Sequence, residues 1–321
     1  MPAAASFSLI AADLEDAAFA ADVFTDEWPD EPSDPVSLRH QWALSGQGPR
    51  GRYLIEAEGR RIGYCEWQHD PWRQVDQRYG LILAAFFRAE FDPPRAGEVI
   101  GRLEAELRAE GTQVLTTKSR PYEVERAALL ERLGYRPDRE ERWSELRLRE
   151  TGSRLIELAA TSRQRVAAAG VQLVTLESVS REHGLLNRLW QVSAEAELDI
   201  PTTVPIVPDS FEAFLADLHA PGTQWDRVWI AVRADQPLGM SLLLYPPQRG
   251  NVWTSWTCTA RSARGQGLAR ALKLETLIQA LELGVERVRT ANDEANAPIL
   301  HLNQQLGYQP VPGLRLWVRP A

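Results

Sequence analysis

Thr257-Cys258-Thr259-Ala260-Arg261-Ser262-Ala263-Arg264-Gly265-Gln266-Gly267-Leu268-Ala269-Arg270 is the stretch whose reading decides the fold. Ahead of it, Asn251 to Thr259 is rich in Trp, Val and Thr and predicts a strand. Behind it, Leu268, Leu272, Leu274, Leu277, Ile278 and Leu281 recur at helical spacing up to Gly284, a C-terminal stop. Between strand and helix, Gly265 and Gly267 let the backbone approach a ligand closely. The first free N–H groups of the helix and its positive dipole end converge on the same place. A phosphate or pyrophosphate suits such a turn, although two glycines alone would equally mark an ordinary tight turn. A dinucleotide fold would want G-x-G-x-x-G, and a phosphate-binding P-loop would want G-K-S/T; neither is here.

The order Arg264-Gly265-Gln266-Gly267-Leu268-Ala269 resembles the pyrophosphate loop, R/Q-x-x-G-x-G/A, of the GNAT superfamily of acyl-CoA-dependent N-acetyltransferases. Downstream, Glu286 to Ala291 reads as a short buried strand, Asn292 and Asn296 follow, and Ala297 to Leu306 reads as a helix closing in Leu306-Gly307-Tyr308. That order is similar to the family's fifth strand, Asn-bearing helix and closing L-G-F/Y, and the resemblance spans roughly residues 171 to 319. It implies acetyl-CoA as cofactor. The pyrophosphate would lie on Arg264, Gly265, Gln266, Gly267, Leu268, Ala269 and Arg270, and the pantetheine arm beside the backbone of Thr257, Cys258 and Thr259, with Asn292 and Asn296 on its other side.

Composition sets the surroundings of that site. A chain of 321 residues, 44 % of them apolar, suits two domains with substantial cores. A net charge of −8 argues against nucleic acid or an anionic membrane as partner and is compatible with a cationic or amine substrate. Cys65 and Cys258, the only cysteines, fall in different halves, which leaves no disulfide framework or cysteine metal cluster. Cytoplasmic residence is expected: Met1 to Ile10 carries no basic, long apolar leader, and no stretch approaches the ~18 apolar residues of a membrane span. His40, His69, His183, His219 and His301 show no metal-ligand spacing, so no metal is expected.

The chain also repeats itself. Tyr53 to Gly63 and Trp229 to Gly239 are hairpins of equal span, and so are the intervals Gly111 to Gly134 and Gly284 to Gly307. The second pair closes in matching words, Leu133-Gly134-Tyr135-Arg136-Pro137 and Leu306-Gly307-Tyr308-Gln309-Pro310. An internal duplication of one α/β unit with a mixed (α+β) sheet accounts for this. The expected organisation is a GNAT-like domain over 1–149, a linking helix over 150–170 with an apolar stripe of Leu155, Ile156, Leu158, Ala159 and Val166, and a second GNAT domain over 171–321.

Only the second unit is expected to work. Aligning Arg95 with Arg264 sets Glu98 against Gly267, where a carboxylate would repel the phosphate, and makes the helix that follows four residues shorter in the first unit. Ser119 and Glu123 then stand opposite Asn292 and Asn296, and Pro93-Pro94 precede the loop. A degenerate first unit with a working second one is similar in layout to mycothiol synthase and its tandem relatives. The expected activity is direct transfer from acetyl-CoA to a small-molecule amine, by a monomer or weak homodimer; a silent acyl-CoA sensor and a protein N-terminal acetyltransferase are the alternatives. For catalysis, Asn303 stands where many GNAT enzymes carry a Tyr acid, Tyr245 is a substitute acid, and Glu197 or Asp199 is the base acting through water. A backbone N–H near Thr259 would serve the oxyanion. Cys258 reads as a small buried hydrophobe rather than a nucleophile, and Trp253 and Trp256 read as core before they read as an acceptor pocket.

Overall fold

The computed structural model describes residues 7–44, 49–69, 76–179 and 183–321. Residues 1–6 lie outside them, as does Glu182, at which the sequence pattern predicts a first helix of the second unit running to Glu197. The first half runs β1 (Phe7–Ala11), α1 (Ala17–Glu27), α2 (Pro35–Ala43), β2 (Arg50–Ala57), β3 (Arg60–Gln68), β4 (Tyr79–Phe86), α3 (Pro93–Ala109), β5 (Val114–Ser119), α4 (Val124–Arg132) and β6 (Arg136–Arg147). Helix α5 (Leu148–Ala168) leads into β7 (Gln172–Thr175), α6 (His183–Glu197), α7 (Phe211–Leu218), β8 (Val228–Arg233), β9 (Gln236–Leu244), β10 (Val252–Thr259), α8 (Leu268–Glu282), β11 (Arg287–Asp293), α9 (Ala297–Leu306) and β12 (Gln309–Pro320). Among the described residues no helix is long and apolar enough to cross a membrane.

The duplication is visible in local detail. Both hairpins turn through two left-handed residues, Glu58-Gly59 and Ala234-Asp235, the backbone that matches strand twist. Both carry an irregularity at the same place, after Ile55 and after Ala231. Both also need glycine opposite the fourth strand of their half: a Cβ on Gly63 would strike the Ala85 carbonyl, and one on Gly239 the Cys258 carbonyl. One spacing relates Phe86 to Thr259, Gly111 to Gly284, Gly134 to Gly307 and Arg136 to Gln309.

That spacing corrects the alignment of the turns that follow β4 and β10. The short turns Arg88–Glu90 and Arg261–Ala263 correspond, so Phe91, Asp92, Pro93 and Pro94 stand at Arg264, Gly265, Gln266 and Gly267. The set Arg95 against Arg264 is therefore slipped by four residues. Helix α3 is the longer of the pair, 17 residues against 15 in α8, and not the shorter. It begins at Pro93-Pro94, with the Asp92 carboxylate capping the Arg95 N–H; proline suits a first helical turn because its missing donor has no partner there. Proline likewise opens α2, capped by Asp34.

Among the described residues the strands form one twelve-stranded sheet in the order β1-β2-β3-β4-β5-β12-β6-β11-β10-β9-β8-β7. The last strand of each half crosses over. Strand β12 lies antiparallel on β5, Arg315 facing Ser119, and β6 lies antiparallel on β11, Arg147 facing Arg287, while β6 and β12 pair with each other. Neither half closes its own sheet. Arg289 on β11 reinforces the seam: buried, it bonds Glu145 of β6 at 3.0 Å and Glu31, from the acidic loop after α1, at 2.7 Å. Helix α5 lies along α8, with Leu155, Ala159 and Val166 buried, and Gly152 admits the Leu281 side chain; Ile156 faces solvent, 54 % exposed, and leaves the expected stripe.

In the first half the mouth between β4 and β5 is filled by the protein itself. Buried Arg126 of α4 donates to the Ala84 carbonyl at 2.7 Å, pairs with Glu27 of α1, and bonds Glu123 at 3.0 Å, while Glu27 accepts from the Phe86 N–H. Ala84 and Phe86 are the counterparts of Thr257 and Thr259. The backbone groups assigned to a ligand in the second half are thus satisfied by side chains in the first. Arg126→Met is expected to cost about 3 kcal/mol in urea unfolding, because it strands the Glu27 carboxylate and the Ala84 carbonyl in the interior. A loss below ~1 kcal/mol would show that water already reaches this cluster.

Candidate functional site

Strands β10 and β11 are parallel neighbours only at Val252–Val288 and Trp253–Arg289, and then part. Just past that point β10 bulges: Thr254 faces Leu243 and Trp256 faces Leu242, which leaves Ser255 as the extra residue without a partner of its own on β9. The opened wedge is part of a cleft of about 1140 Å³. Along its β10 side run Thr254 through Thr259; its mouth is the turn into α8.

That turn is built as an anion cradle. Gly265 and Gly267 hold φ of 75° and 85°, left-handed values that L side chains resist, and Gly267 is the residue from which α8 starts. The N–H groups of the first turn of α8 have no carbonyl behind them in the helix, and the residues that carry them, Leu268, Ala269 and Arg270, line the cleft. Arg264, Gly265, Gly267, Leu268, Ala269 and Arg270 all line the cleft, as do Asn292 and Asn296. Gln266 stands beside them, its side chain accepting from Arg233 at 2.9 Å. A further cation comes from outside the motif: the Arg165 guanidinium of α5 lies 3.7 Å from where a Gly267 Cβ would be. The residues fit a pyrophosphate: a backbone cradle that a side chain would fill, with Arg165, Arg264 and Arg270 around it.

Residues 194–308 match the model of the Acetyltransferase (GNAT) family. Residues 194–308 form a GNAT acetyltransferase domain. No curated protein sequence matches the chain. Among solved structures, a tandem GNAT protein from the clavulanic acid biosynthesis pathway superposes with a TM-score of 0.72 at 16 % identity, covering 98 % of each chain. A GCN5-related N-acetyltransferase from Sphaerobacter thermophilus gives 0.68 at 18 % identity, covering 98 % of this chain and 95 % of its own. The whole chain has the tandem GNAT fold, and the family match lies on the half whose turn carries the two glycines.

The catalytic candidates named from sequence fare differently from the glycine turn into α8. Asn303 is buried, does not line the cleft, and donates from Nδ2 to the Asn292 Oδ1 at 2.8 Å; it fixes Asn292 rather than facing a reacting group. Tyr245 is also off the cleft, under the Arg227 guanidinium, with its phenol pushed up to about 12 by burial. Glu197 turns away to accept from Ser193 and the Asp209 N–H. Asp199 does reach the cleft mouth, but Arg261 holds it through two bonds of 2.6 and 3.1 Å and Arg264 through one of 2.5 Å. Those bonds, Arg261's first, lower its pKa to about 2, too low for a base at neutral pH. The Cys258 thiol is pushed up to about 12 by burial, as befits a packed hydrophobe.

Sequence reasoning missed the other residues the fold brings to the cleft. The bulged Ser255 lies several residues before Thr259, where an oxyanion donor was expected. Trp256 lines the cleft, whereas Trp253 packs edge-on against Trp143 at 4.7 Å and donates to Glu31. The far wall comes from the first half and from β12: Gln68, Thr116, Lys118, Glu141 and Leu316. Arg139 beside them is bound to Asp293 through two bonds of 2.6 and 2.8 Å. One signal in the sequence pointed here. Of 36 lysines and arginines only Lys118 and Lys273 are lysine, and both line this cleft.

Proposed function

We propose that the GNAT domain binds one acetyl-CoA per chain in the β10–β11 wedge and transfers its acetyl group directly to an amine that enters along the wall supplied by the first half. On this reading 1–149 is a non-catalytic unit, 150–170 the connecting helix and 171–321 the catalytic unit. One contrast supports it above all: the second half opens a glycine turn and a parted strand pair onto a cleft, while the first half closes the same places with Pro93-Pro94 and the Arg126–Glu27–Glu123 cluster.

The chain's own groups divide the work. Amides of the first turn of α8, with Arg165, Arg264 and Arg270, would hold the pyrophosphate, and the exposed edge of β10 would carry the pantetheine arm as an added strand. Bound acetyl-CoA supplies the activated thioester. The backbone N–H at the Ser255 bulge can donate to a developing oxyanion nearby. Of the cleft's carboxylates, Asp199 and Asp293 are each tied by arginine, while Glu141 accepts from the Trp143 indole at 2.6 Å and lies 3.8 Å from Lys118, which leaves it best placed to receive the acceptor's proton. A thiol of pKa ~8.5 leaves without a strong acid.

Calorimetry with acetyl-CoA and a thiol-release assay over a broad amine panel test this reading. Binding with amine-dependent release is the expected result. No binding would end the reading, and binding with no turnover on any amine would turn it toward a silent acyl-CoA sensor. Arg165→Ala is expected to weaken acetyl-CoA binding roughly tenfold, or ~1.4 kcal/mol, with a shallower salt dependence. An unchanged dissociation constant would remove α5 from the cofactor site.

A further inference from the structure

The amine of Lys273 is out of place for a structural residue. It sits on α8, 1 % exposed, and its Nζ has no hydrogen-bond partner among the described residues. The nearest aromatic ring is that of Tyr308, 5.3 Å away, and the Tyr308 hydroxyl is 3.4 Å from Thr254 Oγ1, beside the bulge where β10 leaves β11. Lys273 thus lines the cleft near the apex of the wedge, beyond the anion cradle at its mouth. Its counterpart in the first half is Ile100, equally buried at 2 %. An aliphatic side chain meets the packing requirement, so the amine is an addition at the one copy of this position that faces a cleft. In a chain that uses arginine for nearly every cation, a lysine here differs chemically from its alternatives: it can lose its proton and become a nucleophile, which arginine cannot.

We propose that Lys273 is a covalent acyl-accepting site, at which the chain takes an acyl group from an acyl-CoA thioester bound in its own cleft. The inference rests on the reading that the wedge holds acyl-CoA, and it adds a reaction of the protein with its own donor. The neutral amine attacks the thioester carbonyl carbon. A carbon–nitrogen bond forms, the carbon–sulfur bond breaks with its electron pair going to sulfur, and one proton from nitrogen ends on the thiolate. The products are an N-acyl-lysine and free coenzyme A, with no oxidant or further reactant needed. Burial supports the step, since it lowers the Lys273 pKa to about 7 and leaves much of the amine unprotonated at neutral pH. The acylated side chain would project into the wedge and hinder a second cofactor from seating.

The test uses the intact chain with acetyl-CoA alone, read by whole-protein mass and peptide mapping, with calorimetry on the same preparation. Lys118, the other lysine, is the internal control, being on the same cleft but with its side chain 42 % exposed. The expected result is a single acetyl group on Lys273, forming at least about tenfold faster than on Lys118, suppressed by excess coenzyme A and absent in Lys273→Arg and Lys273→Met. Labelling of Lys118 as fast as Lys273 would overturn the proposal. So would acetyl-CoA binding with no label on Lys273, which leaves the cofactor reading intact; absence of binding would overturn both.

Discussion

Lys273→Met is expected to stabilise the chain by about 4 kcal/mol at pH 6, a gain that shrinks as the pH rises from about 7 to 10.5. The sign follows from proton counts. Below pH 7 both folded and unfolded chains hold the proton, and the folded one must bury an ammonium that has no hydrogen-bond partner among the described residues. Between about 7 and 10.5 the unfolded chain binds more protons than the folded one, so wild-type stability climbs with pH. Methionine has no such term and packs in nearly the same volume, so the difference between the two proteins closes. Urea unfolding of both at pH 6, 8 and 10 measures it. A difference that is constant across this range, or a variant less stable at pH 6, would show that the amine finds a polar partner in solution. Stability given up at a single buried amine is the pattern of a residue kept for chemistry rather than for packing.

Gly267→Glu is expected to weaken acetyl-CoA binding several hundredfold, ~4 kcal/mol, without unfolding the chain. Three effects act together. The position is left-handed, with φ of 85°, which a side chain resists. A carboxylate there would lie against the Arg165 guanidinium and pair with it, since an added Cβ would be 3.7 Å away. The negative charge would stand where the pyrophosphate has to come. The matched control is Gly101→Glu in α3, where an added Cβ meets nothing within 4 Å, and where binding should be unchanged. Gly97 is unsuitable, because its Cβ would be 3.2 Å from Leu129. Wild-type calorimetry should give one acetyl-CoA per chain. Two per chain would mean that the Arg126–Glu27 cluster opens, and full binding by Gly267→Glu would mean that the cradle lies elsewhere.

The sequence by itself determined what local chemistry controls. The strand, glycine turn and helix of 251–284 were legible because each is specified within a few residues: β-branched and aromatic runs, left-handed glycines, leucines at helical spacing. The duplication was legible in its repeated turns, Gly134 and Gly307 above all. Where the two glycine and proline turns were matched, local reading slipped by four residues, because Pro93-Pro94 look like a break and in fact open a helix; what closes the first unit's counterpart of the cleft is those prolines and the Arg126–Glu27 pair, with Glu98 lying further along α3. Only the tertiary structure decided which strands pair. Strands β6 and β12 exchange halves, and nothing within a strand states which distant edge it will join. The same holds for side-chain direction. Asn303, Tyr245 and Glu197 are chemically able residues that packing turns away from the cleft, Asp199 is disarmed by two arginines, and Arg165, Glu141 and Lys273 arrive from a linking helix, the other half and a helix face that reads as core. Residue type sets what a group could do; long-range packing sets which groups meet, and at what pKa.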